Sequence, residues 1–203
     1  SWWTLPQVGA EKVGGPYRKW ELKKQRGVYP LSFYRVIWMS LKFYNAGVRY
    51  CAYLRQFDTR VPWIGSGKGG RPFIGILFEV RFFKYFAPLS SPKPKHLLIA
   101  SAPDFLKINE GVWGAINLNN MIPIDFPSLL PVDMKISVSD DRAARNYKEL
   151  LNNQLDWCNA HESMIVRRAV RLHTIITKDL ASQNLKARCC DFALLEEKSL
   201  EFR

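Results

Sequence analysis

The hydrophobic pattern of this chain changes once, at Ser139, and that change limits the fold more than any other feature. Before it, apolar residues come in short runs broken by glycine and proline: Leu41–Tyr53, Pro72–Val80, Tyr85–Leu89 and Gly114–Ile124. Short runs rich in Phe, Tyr, Ile and Val read as strands. After it, Tyr147, Leu150, Leu151, Leu155 and Cys158 recur at helical spacing. A second helical series starts near His161 and carries Met164, Ile165, Leu172, Ile175 and Ile176. Ser139-Asp140-Asp141 supplies the first helix start, with acidic residues where the helix dipole favours them. Two helices with a short join form an antiparallel pair. Strands first and helices last make an α+β fold.

Within the strand half, Leu41–Tyr53 reads as a strand, a turn at Asn45–Gly47, and a second strand or short helix. Pro72–Val80 reads as one dense apolar strand, joined through Arg81–Lys84 to Tyr85–Leu89 as a β-hairpin, although the connection lacks Asn-Gly. Gly114–Ile124 is a further strand closing at Pro123, and residues 125–138 are extended and proline-punctuated. His161 and His173 read as surface or capping residues, because nothing at metal-ligand spacing surrounds them.

The chain has 203 residues and an apolar fraction of 47%, enough for one domain with a real core. Its net charge of +12 calls for an anionic partner, and nucleic acid is the first candidate. Four cysteines (Cys51, Cys158, Cys189 and Cys190) include no Cys-x-x-Cys pair, which suits free thiols in a reducing cytoplasm. No apolar run approaches the roughly 20 residues of a membrane helix, and no secretory signal is legible at the N-terminus. Residues 1–38 differ from the rest: they hold four of the seven tryptophans and show no clean period. They read as an extension foreign to the fold, either artificial or translated from upstream DNA; the alternative is a nucleic-acid-binding arm. With seven cations and two glutamates the segment carries +5, which leaves +7 on residues 39–203.

Two loops are chemically notable. Tyr85–His96, YFAPLSSPKPKH, opens as a strand and then breaks at Pro88, Pro92 and Pro94. Between the prolines sit Ser90 and Ser91, then Lys93, Lys95 and His96: hydroxyls, cations and an imidazole at a stiff strand exit, a set suited to holding a phosphodiester. Trp63–Arg71, WIGSGKGGR, is a basic glycine-rich loop. It is not a nucleotide-binding P-loop, since Pro62 stands where the first glycine is needed and Gly69 where Ser or Thr is needed. Lys68 in that loop suits RNA phosphates, and Trp63 suits stacking on a base.

Five blocks in order resemble one family. They are Phe73-Ile74-Gly75-Ile76; Tyr85–Lys93 with His96; Ile116–Pro123; Tyr147-Lys148 with Leu150 and Gln154-Leu155; and Cys190–Lys198. Together they resemble the ToxN/AbiQ endoribonucleases of type III toxin–antitoxin systems, in register from about Leu41 to Phe202. Residues 1–38 have no counterpart there, and the family's own start matches Met39. The resemblance implies a MazF/Kid-like fold, a curved antiparallel sheet with an SH3-like barrel core packed with helices. It implies a ribonuclease that needs no metal or other cofactor, acts in abortive phage infection and cuts single-stranded A-rich RNA. Its implied partner is a cognate RNA pseudoknot antitoxin, bound in a cyclic protein–RNA assembly. The family's hydroxyl pair falls on Ser90 and Ser91 and its lysine on Lys93; a basic residue before the Phe-Ile-Gly strand is matched by Arg71. Some members carry a loop tyrosine where this chain has Gly67, so that role has no bearer here.

Without a metal, the substrate's 2′-OH must attack the phosphate and leave a 2′,3′-cyclic product. Lys93 and Arg71 suit the charge that develops, preorganised donors there being worth about 10²–10³ in rate. Ser91 positions the phosphate or relays a proton, being a feeble base. His96 has the pKa range for acid–base work, or is an RNA-contacting or structural histidine; the general base stays unassigned. A non-catalytic RNA-binding module would share every one of these charge features, and only product chemistry separates the two.

Overall fold

The computed structural model describes residues 34–35, 41–63, 72–75, 78–80 and 83–202. All fall in the second of the two units into which the chain divides, Ser1–Ser32 and Phe33–Arg203. The strand half runs β1 (Tyr34–Arg35), β2 (Phe43–Ala46), helix α1 (Val48–Leu54), β3 (Pro72–Ile74), β4 (Phe78–Val80), β5 (Phe83–Phe86) and β6 (Leu89–Ser90). A short helix α2 (Pro94–Leu98) precedes β7 (Phe105–Lys107), β8 (Ala115–Asn117), β9 (Ile122–Ile124) and β10 (Leu129–Pro131). The helical half is α3 (Arg142–Ala160), α4 (Glu162–Thr177), α5 (Gln183–Arg188) and α6 (Phe192–Ser199).

Among the described residues the strands pair antiparallel in three small sheets, ordered β1-β4-β5-β9, β10-β2-β3 and β6-β8-β7. The α+β reading therefore holds, while the barrel core does not: none of these sheets closes on itself. The expected hairpin forms, with Val80 opposite Phe83 and Phe78 opposite Tyr85. Pro72–Val80, however, is two strands in two sheets, broken at Gly75. A Cβ on Gly75 would lie 2.3 Å from the Lys42 carbonyl oxygen, so the backbones of two segments meet where only glycine fits. Gly114–Ile124 splits likewise, β8 and β9 being separated by a one-turn helix at Leu118–Asn120. Pro123 lies inside β9, at a sheet edge where its missing N–H costs no ladder bond; its carbonyl accepts from Tyr50 Oη at 2.6 Å. Tyr34–Arg35, inside the segment read as an extension, lines the opposite edge against Glu79 and Val80.

The core fills where β5 runs into β6. Tyr85, Phe86, Ala87, Pro88 and Leu89 are all buried, sandwiched between the sheets and the helices. Leu54, Ile108, Ile116, Leu118 and Phe192 complete it, each large side chain worth about 1.5–3 kcal/mol when fully buried. The helical spacing is honoured: α3 buries Leu151, Gln154 and Cys158, and α4 buries Ile165, Ala169 and Leu172. Asp141 caps α3, its Oδ1 accepting from the Ala144 amide at 2.7 Å.

Buried polar groups fasten the last helices to the strand half. Arg188 donates through Nε and Nη2 to Asp104 at 3.0 and 3.1 Å. Asp58 is gripped by Arg60 and by the Asp191 amide. Burial acts to raise the Asp58 carboxyl, yet those hydrogen bonds outweigh it and hold the group below the usual carboxylate range. His173 is buried, not a surface or capping residue: its Nε2 meets Glu196 Oε1 at 3.1 Å, and Tyr85 Oη donates to the same oxygen at 2.6 Å. His161, by contrast, sits exposed at the α3–α4 joint, stacked on Trp157 with centroids 4.1 Å apart. The four cysteines are buried thiols, and burial pushes Cys51, Cys158 and Cys189 up to about 12.

Candidate active site

The site grows out of the β6–β8 ladder. Leu89 pairs with Ile116 and Ser90 with Ala115, and the Asn117 amide donates to the Pro88 carbonyl at 3.0 Å. Beyond Ser90 the chain leaves the sheet. Lys93 keeps extended dihedrals (φ −143°, ψ 144°) at the N-cap of α2, and Pro94 opens that helix, where its fixed φ suits the first turn. The Lys93 carbonyl accepts the His96 amide at 2.8 Å. Ser91, Lys93 and Lys95 are exposed in one continuous segment, with Ser90 half-buried at its root.

The β7–β8 connection lies beneath this segment. Asn109, Glu110 and Gly111 take positive φ in succession (47°, 52° and 92°), and Gly114 follows at 98°. The two glycines are there for close approach as well as for dihedral freedom. A Cβ on Gly111 would stand 2.5 Å from the His96 carbonyl oxygen, and one on Gly114 would stand 2.1 Å from that of Ser90. The two ends of the Ser90–His96 segment thus rest on bare backbone. Lys107 Nζ adds a bond to the Leu97 carbonyl at 3.1 Å, and Gln154 of α3 holds the connection from behind through the Trp113 carbonyl at 2.5 Å.

The half-buried hydroxyl is held directly: Asn117 Nδ2 donates to Ser90 Oγ at 2.6 Å. Sequence reasoning missed Asn117, Gly111 and Gly114. The signal for Asn117 was available, since strand alternation puts it on the face of Ala115, two residues before, and hence of Ser90 opposite.

His96 departs from expectation. Its ring is only 2% exposed, lies 5.6 Å from the Phe105 ring, and its Nδ1 has no partner among the described residues. Burial, and then the positive charges of Lys93 and Lys95, keep it below the usual histidine range. The imidazole is a wedge packed under the segment against Phe105. Trp63 is 66% exposed, with the Arg55 guanidinium 5.8 Å from its ring centroid. Arg55 is itself fixed by donation to the Thr59 and Val61 carbonyls. Lys68 and Arg71 lie outside the described residues. Among the described residues no three His, Cys, Asp or Glu side chains gather as a metal would require, and no helix is long and apolar enough to cross a membrane.

A sequence model of the family "Toxin ToxN, type III toxin-antitoxin system" matches residues 42–199. The chain belongs to this family. It is 34% identical over 172 residues to the endoribonuclease ToxN of Pectobacterium atrosepticum, covering 80% of this chain and 94% of that protein. It is 27% identical over 166 residues to the endoribonuclease ToxN of Bacillus thuringiensis subsp. kurstaki, covering 80% of this chain and 84% of that one. A chain solved in work on how a processed non-coding RNA regulates a bacterial antiviral system superposes with a TM-score of 0.67 at 31% identity, over 79% of this chain and 98% of that one. Another, solved in work on selective toxin inhibition by a non-coding RNA pseudoknot, gives 0.64 at 26%, over 80% and 98%. The ToxN match takes in both loops, the whole Ser90–His96 segment and its β7–β8 support; it opens beyond Met39 and leaves residues 1–38 outside.

Proposed function

We propose that this chain is the toxin of a type III toxin–antitoxin pair, a metal-independent endoribonuclease of abortive phage infection that a cognate RNA pseudoknot keeps inactive. The observation that carries the reading is the Ser90–His96 segment. The hydroxyl pair and lysine of the ToxN pattern stand together at a strand exit, with Ser91 and Lys93 facing solvent and Ser90 braced by Asn117. Relatives that carry the name endoribonuclease ToxN align along most of the chain.

In this mechanism the 2′-OH of a single-stranded, A-rich RNA attacks its own phosphate. The P–O5′ bond breaks, leaving a 2′,3′-cyclic phosphate and a 5′-OH. Lys93 meets the charge that gathers on the non-bridging oxygens, where a fixed cation lowers the barrier most. Arg71, the basic residue before the Phe-Ile-Gly strand in the ToxN pattern, shares that role. Ser91 and Ser90 hold the phosphate in line by donating hydroxyl protons. Lys68 and Lys95 steer the backbone, and Trp63 offers an exposed ring to a base. The protein works in the cytoplasm, and the RNA antitoxin covers the segment in a cyclic assembly. Residues 1–38 are an extension to the ToxN domain at 39–203, lending β1 to a sheet edge. The three sheets together form the curved surface of a MazF/Kid-like fold.

The test is incubation of the purified chain with an A-rich RNA in EDTA, followed by analysis of the ends. Cyclic-phosphate and 5′-OH products are expected. Loss of cleavage on chelation, or 5′-phosphate ends, would overturn the metal-independent route. Tight binding with no cleavage in any buffer would make the protein an RNA-binding module.

A further inference from the structure

Ser90 is the least accessible hydroxyl of the proposed site, and the way it is held decides what it can do. A serine hydroxyl has one proton to give and two lone pairs to receive. One lone pair is taken by Asn117 Nδ2 at 2.6 Å. The hydroxyl proton therefore points away from Asn117, and among the described residues no acceptor takes it. Both residues sit on one face of the β6–β8 ladder. Ser90 is opposite Ala115, and Asn117 is the next residue along that face. The Asn117 backbone is fixed independently through the Pro88 carbonyl and through its pairing with Phe105. Gly114 presses on the Ser90 main chain from the same strand's start. Main chain and side chain of Ser90 are thus set from opposite ends of β8.

We propose that Asn117 is a positioning residue for RNA cleavage: its amide holds the Ser90 hydroxyl as an outward-facing proton donor to the scissile phosphate. The inference rests on the Ser90–Lys93 segment being the active site. A neutral hydroxyl that is free to rotate spends much of its time donating to water. One locked in the donor direction is prepared for the oxygen whose charge grows in the transition state, so the lock acts on kcat more than on KM.

The experiment is a double-mutant cycle on cleavage of an A-rich RNA, with Asn117→Leu, Ser90→Ala and the pair together. Asn117→Leu is expected to lower kcat about tenfold, the scale of one hydrogen bond near 1.4 kcal/mol, with KM within about twofold. Ser90→Ala should lose a similar factor, and the double variant should be no worse than Ser90→Ala alone. Multiplying losses would show that Asn117 acts through the fold, not through Ser90, and would overturn the proposal. Asn117→Asp reads the polarity: carrying only acceptors, it should cut more slowly than Asn117→Leu, whereas faster cutting would mean that Ser90 donates to residue 117. Thermal melting of each variant, with Asn117→Ala as a smaller second truncation, keeps stability apart from rate. Ser91→Ala and Lys93→Ala separate the two levels. If both cleave normally, the site reading has failed. If both are impaired while Ser90→Ala and Asn117→Leu cleave normally, only the role of Asn117 has.

Discussion

Substituting Gly114 by alanine tests the support of the active segment at one atom. The added Cβ would lie 2.1 Å from the Ser90 carbonyl oxygen and 3.2 Å from the Pro92 nitrogen, where 3.0 Å is about the least that real Cβ atoms show. The Ser90 carbonyl must therefore retreat by about 1 Å, carrying Ser91 with it. Displacing a catalytic group by about 1 Å costs on the order of 10²-fold in rate. Alanine at φ 98° adds strain of about 1–3 kcal/mol, and a chain of this size loses roughly 2–4 °C per kcal/mol. Gly114→Ala should thus melt about 2–12 °C lower yet remain folded at 25 °C, with single-turnover cleavage of an A-rich RNA down about a hundredfold. Affinity for a non-cleavable 2′-deoxy version should stay within about threefold, because the lysine stems are flexible enough to follow the phosphate. Gly47→Ala is the control. Gly47 has ordinary dihedrals (φ −61°), and its Cβ would stand 3.4 Å from Ser128, so little should change. A folded Gly114→Ala protein that cuts within threefold of wild type would refute either the contact's control of the segment or the segment's part in catalysis.

Four further outcomes are expected. Ser91→Ala should slow cleavage at least about a hundredfold with little change in melting, while Lys93→Ala should also weaken RNA binding and reduce its salt slope by about 0.7; cleavage and affinity at two salt concentrations decide. The unfolded chain binds a proton to His96 more readily than the folded one, so stability is complete above about pH 6.5 and declines as pH falls below it. Urea midpoints at pH 7 and 5.5 should converge in His96→Gln, and an unchanged pH slope would exclude His96 as the cause. Arg188→Ala strands the buried Asp104 carboxylate, though the half-exposed arginine side chain limits the loss to about 1–2 kcal/mol, seen as a melting shift of about 2–8 °C. Removing residues 1–32 should leave melting and cleavage intact, and removing 1–38 should cost only the short β1–β4 pairing, about 1–3 kcal/mol; collapse of either truncation would place the upstream segment in the core.

What was legible in the sequence was the local order. The helical period from Tyr147 onward, the cap at Asp141 and the hairpin through Arg81–Lys84 all depend on neighbours in the chain, and each is present. What was not legible depends on distant partners. Gly75 looked like part of one strand because nothing nearby reveals that the Lys42 backbone crosses it. β7 is three residues long, too short for any period to register. His96 and His173 are alike in sequence context to surface histidines. Only packing against Phe105 in one case, and against Glu196, Tyr85 and Phe192 in the other, buries them. At the site, Ser90, Ser91 and Lys93 stood out from the composition of their loop and again from the resemblance, whereas Asn117, Gly111 and Gly114 emerge only once β8 is laid beside β6.

The backbone rests under Ser90 and His96 brace the segment at both ends, and under the proposed function this bears on how such a toxin would be silenced. A ligand shifts a conformational equilibrium only where two conformations exist to choose between. Here bare main chain abuts main chain at both ends of the segment. On the proposed function, an RNA antitoxin covering this segment would act as a lid over a loaded mechanism, not as a safety catch inside it. Activity then returns as fast as the RNA is destroyed or dissociates, with no lag for refolding. On that reading the lifetime of the RNA would set when growth arrest begins, and a delay between removal of the RNA and the first cut would contradict it.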